Sequence, residues 1–287
     1  MAVYTTEITS AEILSDNPIH QRLLKPYIVA KDYVKGNMLE LGCGEGRGVK
    51  ELMPLVEKYT ALDKIGEIVE KLQKENPKGD FRQAVFPPFS GLEDNAFDSI
   101  VTFQVIEHIK DDELFLKEMA RVLKPGGVAL LTTPNIKLTL TRNPWHIREY
   151  TAQELTDLAK KYFPNVEMKG IAGSEKVMDY HDKNRASVKR ITRFDVLNLQ
   201  YRLPAWMLRI PYDLLNRFNR NNLQKASDSL VSSISHDDYL VSDNAGNKKS
   251  PLFRGFSLVV HHSVVFSEEL FVCFSQLRIF IGPEYSR

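Results

Sequence analysis

This sequence of 287 residues has few cysteines and almost no excess of either charge. It also has no long apolar run. The two cysteines, Cys43 and Cys273, are too few for a disulfide framework or a cysteine metal cluster. The net charge of +1 argues against general nucleic-acid binding. Because no apolar run is long enough to cross a bilayer and no secretion signal is visible, we expect a cytoplasmic protein.

The most informative segment is a short apolar strand that runs directly into three alternating glycines. The strand covers residues 38–41, and Gly42, Gly44 and Gly46 follow it. Glycine lets the backbone turn sharply and approach a ligand, and the first turn of the next helix offers N–H donors. The nicotinamide fingerprint fails, since it requires a glycine where this chain has Arg47. The segment predicts a cofactor loop, with a tight turn that binds no ligand as the alternative.

Further strands follow in the alternating strand and helix order of a parallel sheet. The second strand ends in Asp63, which lies 17 positions after Gly46, where the next strand tip of a βαβ unit falls. Its carboxylate is able to accept both hydroxyls of a ribose or to cap the next helix. Strands are also predicted over 80–84, 96–103, 128–133 and 166–172, with a helix over 112–123.

Together these motifs resemble the class I S-adenosylmethionine-dependent methyltransferases of the small-molecule type. The resemblance rests on four ordered signals at the family's spacing, which are the Glu-x-Gly-x-Gly-x-Gly loop from Glu40, Asp63, the stretch from Phe97 to His108, and Leu123-Lys124-Pro125-Gly126-Gly127. It implies an α/β fold with a Rossmann-like, doubly wound, mostly parallel seven-stranded sheet, helices on both faces and a helical insertion before the last strand. It also implies S-adenosyl-L-methionine as cofactor and S-adenosyl-L-homocysteine as product.

The resemblance assigns residues to the cofactor and to the reacting groups. The cofactor set is Glu40, Gly42, Cys43, Gly44, Gly46, Asp63, Lys64, Gln83, Ala84 and Gln104. Gln83 departs from the acid that is usual at its position, so its amide either receives the adenine amino group or faces solvent. Glu107 and His108 fall beside the methionine end of the cofactor as catalytic candidates, with a packing role for His108 as the alternative.

A third catalytic candidate, His146, follows the fifth strand, where acceptor-side loops gather in open α/β sheets. A neutral imidazole there is a candidate general base, and a hydrogen-bonded loop histidine is an equal alternative. Similar Pro-x-His-x-Arg-x-Tyr stretches occur in family members that act on small hydroxylated acceptors. Metal-ligand spacing is missing from the sequence, so we expect no metal.

Composition divides the chain into four stretches. We predict an N-terminal helical cap over 1–35, a Rossmann-like cofactor-binding core over 36–172, a basic amphipathic helical lid over 173–230, and C-terminal strands with a tail over 231–287. Thr151 is predicted to cap a helix, with Glu154 as its capping-box partner. Residues 239–241 and 256–260 are two candidates for the antiparallel last strand.

The insertion carries most of the chain's charge imbalance. Residues 176–225 contain eleven cationic and four acidic side chains, an excess of seven positive charges, with aromatic and aliphatic residues between them. This composition is typical of an interfacial helix on anionic lipid, and also of a lid over an acidic substrate. The alternative is a helix whose apolar face packs on the core and whose cations are solvated.

The sequence therefore predicts methyl transfer to a small hydroxylated acceptor, with O-methylation of a glycan or lipid-linked precursor favoured. A cofactor-binding regulatory protein without turnover is one alternative, and methylation of a quinone precursor or a nitrogen acceptor is another. DNA methylation is disfavoured, since the Asp/Asn-Pro-Pro-Tyr loop is absent after the fourth strand. The expected partners are a small-molecule acceptor, no nucleic acid, and an anionic membrane contacted peripherally through 176–225.

Overall fold

A single eight-stranded sheet forms the centre of the computed structural model, which describes residues 13–242 and 253–261. The strands are β1 Asn37–Leu41, β2 Lys58–Asp63, β3 Asp80–Gln83, β4 Phe97–Phe103, β5 Leu123–Pro134, β6 Asn165–Gly173, β7 Tyr239–Ser242 and β8 Phe253–His261. The α-helices are α1 Asn17–Ala30, α2 Arg47–Glu51, α3 Gly66–Glu75, α4 Asp112–Val122, α5 Ala152–Ala159, α6 Glu175–Thr192, α7 Leu199–Arg202, α8 Ala205–Ala226 and α9 Asp228–Ser233.

The strand order is β3-β2-β1-β4-β5-β8-β6-β7, and the first five strands run parallel. From β1 the chain moves outward through β2 to β3, then returns to place β4 on the other side of β1. The loops after β1 and β4 therefore leave the same sheet edge in opposite directions. In open α/β sheets this switch point forms the crevice that binds ligands.

The predicted number of strands, seven, is wrong for this sheet. Both candidates for the last strand form strands, so the described residues contain eight. Strand β8 lies antiparallel between β5 and β6, and β7 pairs antiparallel with β6 at the sheet edge. The helices α6 to α9 consequently precede the last two strands rather than one. Strand-like composition identifies both segments in the sequence. Only the pairing of β8 with β5 and β6, and of β7 with β6, shows that both join the sheet.

Hydrophobic clusters cover both faces of the parallel strands, as a doubly wound sheet requires. On one face, α1 and α3 pack against Met38 and Val101. On the other, α4 and α5 pack against Leu39, Leu41 and Ile100. Successive side chains of a strand point to opposite faces, which explains why neighbouring residues of β1 belong to different clusters.

The start of α5 shows how local sequence determines one of these elements. Thr151 Oγ1 accepts a hydrogen bond from the Glu154 backbone N–H at 3.2 Å, and Glu154 Oε2 accepts one from the Thr151 N–H at 2.8 Å. Both bonds of the predicted capping box are present, so the prediction for this helix start is confirmed.

Helices α6, α8 and α9 pack beside β6 and β7 on a third hydrophobic cluster that includes Val177, Leu223 and Val231. A buried ion pair ties α8 to the segment before α1. Asp16 Oδ1 accepts from the guanidinium groups of Arg217 at 2.8 Å and Arg220 at 3.1 Å. Among the described residues, no helix combines the length and apolar character needed to cross a bilayer.

Replacing Asp16 by Asn should lower the free energy of unfolding by about 3 kcal/mol, because the buried Arg220 and the partly buried Arg217 lose their anionic partner. Glu113→Gln is the matched control, since Glu113 pairs with Lys161 on the surface and exposed ion pairs contribute little to stability. Urea unfolding of both variants measures the difference. An Asp16→Asn loss no larger than that of the control would contradict a stabilising role for this ion pair.

Candidate active site

The glycine loop after β1 has a backbone that ordinary residues rarely adopt. Gly42, Gly44 and Gly46 have φ values of +81°, +48° and +84°, all in the left-handed region. A Cβ on Gly42 would lie 2.4 Å from Val105 Cγ2, and one on Gly46 would lie 2.5 Å from Leu72 Cδ2. A Cβ on Gly44 would meet no atom within 4 Å, so this part of the loop faces open space.

Asp63, at the tip of β2, fastens the glycine loop to the neighbouring turn. Its Oδ2 accepts from the Gly44 N–H at 2.8 Å, and its Oδ1 accepts from the Ile65 N–H at 2.9 Å. Each carboxylate oxygen can accept a further hydrogen bond, because it carries two lone pairs. The side chain is buried yet reaches the cavity beside the loop, where it is able to receive a pair of hydroxyls.

This first cavity has a volume of about 240 Å³ and lies at the carboxyl ends of β1, β2 and β4. Seven residues of the predicted cofactor set line it, namely Gly42, Cys43, Gly44, Asp63, Lys64, Ala84 and Gln104. Cys43 is buried, and burial raises the pKa of its thiol, which is therefore protonated at neutral pH. We call this space the cofactor cavity.

Glu40, Gly46 and Gln83 do not line the cofactor cavity. Gln83 is exposed, and its Nε2 donates to the Lys64 carbonyl at 3.1 Å. Its placement agrees with the solvent-facing alternative rather than with contact to a ligand in this cavity. Gly46 contributes through the shape of the loop, as the residue immediately before α2.

Glu40 lies in the core, behind the glycine loop. It accepts hydrogen bonds from the Tyr27 hydroxyl at 2.7 Å and from the Tyr59 hydroxyl, and it packs so tightly against Gly48 that a Cβ there would overlap its carboxylate. Burial raises the pKa of Glu40 to about 7, although the two tyrosine hydrogen bonds oppose this shift. Its contacts therefore join α1, β1 and β2, and only indirectly support the loop.

A second cavity, of about 260 Å³, adjoins the first, and we call it the acceptor cavity. Leu23, Gln104 and His108 line both cavities, so the two spaces meet at these side chains. Gln104 follows β4 with a φ of +59°, and its Nε2 donates to Thr132 Oγ1 at 3.2 Å. A non-glycine residue in this left-handed region is uncommon.

The three predicted catalytic residues come together in the acceptor cavity. The rings of His108 and His146 meet edge to face with centroids 5.0 Å apart. Glu107 is buried, and its Oε2 accepts from Thr133 Oγ1 at 3.0 Å. Burial raises the pKa of Glu107, although the two imidazoles and the Thr133 hydroxyl oppose this shift.

The same three side chains could also hold a metal ion. One ligand atom from each of Glu107, His108 and His146 lies within 4.8 Å of the other two.

The hydrogen bonds around His146 determine its tautomer. Asn143 Oδ1 accepts from the Trp145 N–H at 3.0 Å, so its amide NH₂ faces His146 Nε2, 2.8 Å away, as a donor. Nε2 must then accept, which places the ring proton on Nδ1, where it is donated to Glu149 Oε1 at 2.6 Å. Burial would raise the pKa of Glu149, but hydrogen bonds from His146 and Thr139 outweigh it and hold the pKa below its usual range.

Sequence reasoning missed Asn143 and Glu149, although both lie within three residues of His146. A carboxylate three positions from a candidate base was the available signal. It also missed the α8 residues that close the acceptor cavity, which are Tyr212, Asn216, Asn219 and Arg220. Their spacing in the sequence defines one face of a helix. The sequence does not show what that face would contact.

Comparisons with known proteins agree with this geometry. Residues 39–131 match the family described as methyltransferase domain. A probable S-adenosylmethionine-dependent methyltransferase of Mycolicibacterium smegmatis is 38% identical over 128 residues, which cover 42% of this chain and 49% of that protein. A protein of Mycobacterium tuberculosis with the same description is 33% identical over 177 residues, covering 59% of this chain and 62% of that protein. Over residues 39–131 the chain is therefore similar to the class I S-adenosylmethionine-dependent methyltransferases.

The chain spans about half to three fifths of the length of these curated relatives. The crystal structure of the YcgJ protein from Bacillus subtilis has a TM-score of 0.50 at 17% identity, covering 85% of this chain and 100% of that chain. At this identity the likeness shows a shared α/β fold.

Glu40→Gln should change how the stability of this fold depends on pH. The native state retains the Glu40 proton up to about pH 7, whereas the unfolded chain loses it near pH 4.3. The Glu40 contribution is therefore fully present below about pH 4.3 and is lost as the pH rises through about 7. The amide of the variant does not titrate, so urea unfolding should show wild-type stability falling relative to the variant by on the order of 3 kcal/mol across this window.

Parallel pH profiles of the two proteins would contradict this account of Glu40. Glu113→Gln provides the control, because it removes a carboxylate from the surface rather than from the core.

Proposed function

We propose that this chain is an S-adenosylmethionine-dependent methyltransferase that methylates an oxygen of a small hydroxylated acceptor. The observation that carries the proposal is the junction of the cofactor and acceptor cavities at Leu23, Gln104 and His108. Direct methyl transfer requires donor and acceptor to meet in line with water excluded, and two adjoining cavities provide that arrangement.

The cofactor cavity suits S-adenosylmethionine by two independent features. The space beside Gly44 lets a ligand approach the backbone, and the Asp63 carboxylate is placed to accept two ribose hydroxyls. The cavity also has an apolar lining for the adenine ring of the cofactor, formed by Ala84, Val105 and Ile109. When bound, the cofactor supplies a methyl group on a positively charged sulfur, which is its own leaving group.

The chain's own contribution is then alignment of the acceptor and removal of one proton. His146 Nε2 is the atom proposed to receive the acceptor hydroxyl proton, and the Asn143 amide that donates to this nitrogen has to turn aside as the hydroxyl arrives. The Glu149 carboxylate, 2.6 Å from Nδ1, holds the ring and stabilises its charged form. His146 and Glu149 thus resemble a base with its orienting acid.

A lipid-linked acceptor is favoured by a third cavity, of about 470 Å³, which lies among α6, α7 and α8. Its lining is largely apolar and includes Ile191, Leu203 and Leu208. It adjoins the acceptor cavity, since Val188, Tyr212 and three other residues line both. A hydroxylated head beside His146 and an apolar chain among these helices would occupy the two spaces together.

The surface of α8 supports delivery of such an acceptor from a membrane. Trp206, Ile210, Leu214 and Phe218 follow one another at intervals of four, and each is between 60% and 72% exposed. This exposed stripe does not fit the alternative in which the apolar face packs on the core. The cations of 176–225 lie in the same segment, although Arg217 and Arg220 are bound to Asp16 and Arg209 lies over the Trp145 ring. We therefore propose peripheral contact with anionic lipid.

Calorimetry with S-adenosylmethionine tests the cofactor half of the proposal. We expect micromolar binding of S-adenosylmethionine and S-adenosylhomocysteine and none of NAD. Asp63→Ala should weaken binding by about 2 to 3 kcal/mol, or roughly 30- to 150-fold, because two hydrogen bonds to a charged acceptor are lost. Asp157→Ala removes an exposed carboxylate from α5 and is the control. Binding of NAD instead, or equal affinities in the wild type and Asp63→Ala, would contradict the cofactor assignment.

Co-sedimentation with vesicles tests the membrane contact. Vesicles of equal parts phosphatidylglycerol and phosphatidylcholine should bind the chain at low salt and release it at high salt, whereas pure phosphatidylcholine should bind weakly. Trp206→Ala with Ile210→Ala should reduce binding at both salt concentrations, while Arg202→Ala should cost about 1 kcal/mol at low salt only. Leu55→Ala, an exposed apolar residue outside the stripe, is the control. Failure to sediment with anionic vesicles at low salt would reject this contact.

A further inference from the structure

We infer that Glu107, His108 and His146 form a binding site for a divalent first-row transition metal ion within the acceptor cavity. One ligand atom from each side chain lies within 4.8 Å of the other two, and all three residues line that cavity. The inference rests on the proposed function only in placing the acceptor there. The distances between the three side chains do not depend on a bound cofactor.

The ligand chemistry selects the class of ion. Two imidazole nitrogens and one carboxylate oxygen suit Mn²⁺, Fe²⁺, Co²⁺ or Zn²⁺, whereas Mg²⁺ and Ca²⁺ favour oxygen ligands throughout. Three protein ligands leave further coordination positions open, as in catalytic rather than structural metal sites. An acceptor hydroxyl could occupy such a position.

Hydrogen bonds outside the three ligands support the same atoms. The Trp145 carbonyl lies 2.9 Å from His108 Nδ1 and can only accept, so the ring proton is on Nδ1 and the lone pair is on Nε2. Glu149 sets the same tautomer in His146. Metal-binding histidines ordinarily donate the N–H of their second ring nitrogen to a carbonyl or a carboxylate. Here the Trp145 carbonyl is the partner of His108 and the Glu149 carboxylate is the partner of His146.

The third ligand is also held from behind, because the Thr133 hydroxyl donates to Glu107 Oε2. Glu107 is buried beside the two imidazole rings, and a divalent cation between the three side chains would compensate the charge of its carboxylate. Binding at His146 Nε2 requires one displacement, that of the Asn143 amide, which is 2.8 Å away. The side chain of Asn143 therefore competes with the cation.

A cation at this site would change the part that His146 plays. The metal would hold the acceptor hydroxyl and lower its pKa, so that the hydroxyl proton leaves to water, the O–CH₃ bond forms and the S–CH₃ bond breaks. His146 would then act as a ligand, and the base proposed above would be unnecessary. Acceptors with two neighbouring hydroxyls would gain most, since both oxygens could occupy open positions.

Calorimetric titration of the chelator-treated full chain with Mn²⁺ and with Co²⁺ tests this inference without any acceptor. We expect one saturable site per chain, at least tenfold weaker in His108→Ala, His146→Ala and Glu107→Gln. Glu149→Gln, which alters only the support of His146, should weaken binding by about 10- to 100-fold. Asn143→Ala should bind more tightly, because the competing amide is gone.

His236→Ala is the matched control, since His236 lies next to an exposed acid outside both cavities and should not affect the titration. Glu107→Gln conserves size and hydrogen bonding, so it keeps the test informative if a histidine variant fails to fold. Absence of saturable binding, or equal affinity in Glu107→Gln and His146→Ala compared with the wild type, would overturn the inference. S-adenosylmethionine affinity should be unchanged in Glu107→Gln and His146→Ala, whose side chains do not line the cofactor cavity, and this separates failure of the metal site from failure of the proposed function.

Discussion

The parallel pairing of β1 with β4 is the constraint on which the rest of this molecule depends. Because these strands are neighbours in space but are separated in the chain by β2 and β3, their following loops diverge from one sheet edge. The glycine loop fills one side of the opening and Gln104 to His108 fill the other. Most of the candidate cofactor and catalytic residues line the two cavities at this opening.

The left-handed backbone at Gly42, Gly44 and Gly46 shapes the loop on one side of this opening. Two of these glycines have no room for a side chain because Val105 and Leu72 pack against them, while the third borders the open cavity. Asp63 joins the loop to the next strand, and Glu40 supports the loop from the core through Tyr27 and Tyr59. The loop is thus held in shape by side chains that a ligand would not displace.

Predictability from sequence follows the range of the interactions involved. The glycine loop, the end of β2 at Asp63 and the capping box at Thr151 depend on residues close in the chain, and each is recognisable from its local pattern. The contacts of Glu40 with Tyr27 and Tyr59, which are 13 and 19 residues away, are not recognisable in the sequence. No short motif encodes a buried carboxyl group between two tyrosines. The strand count fails for the same reason, since β7 and β8 are defined by distant partners.

The acceptor side shows the limit of motif reasoning most clearly. The place of His146 after the fifth strand identifies it as a candidate, but its neighbours Asn143 and Glu149 determine its tautomer, and that is a property of folded geometry. The face of α8 that closes the cavity comes from a distant part of the chain. The assignment of residues to a cap, core, lid and tail remains a prediction, as do their roles in turnover.

Incubation of the chain with S-adenosylmethionine carrying a labelled methyl group tests the central claim most directly. We expect label to enter the solvent-extractable lipid fraction of a cell extract, and His146→Ala to abolish this transfer while S-adenosylmethionine affinity is retained. Absence of labelled product in every fraction, despite measurable cofactor binding, would contradict the account and favour a cofactor-binding protein without turnover.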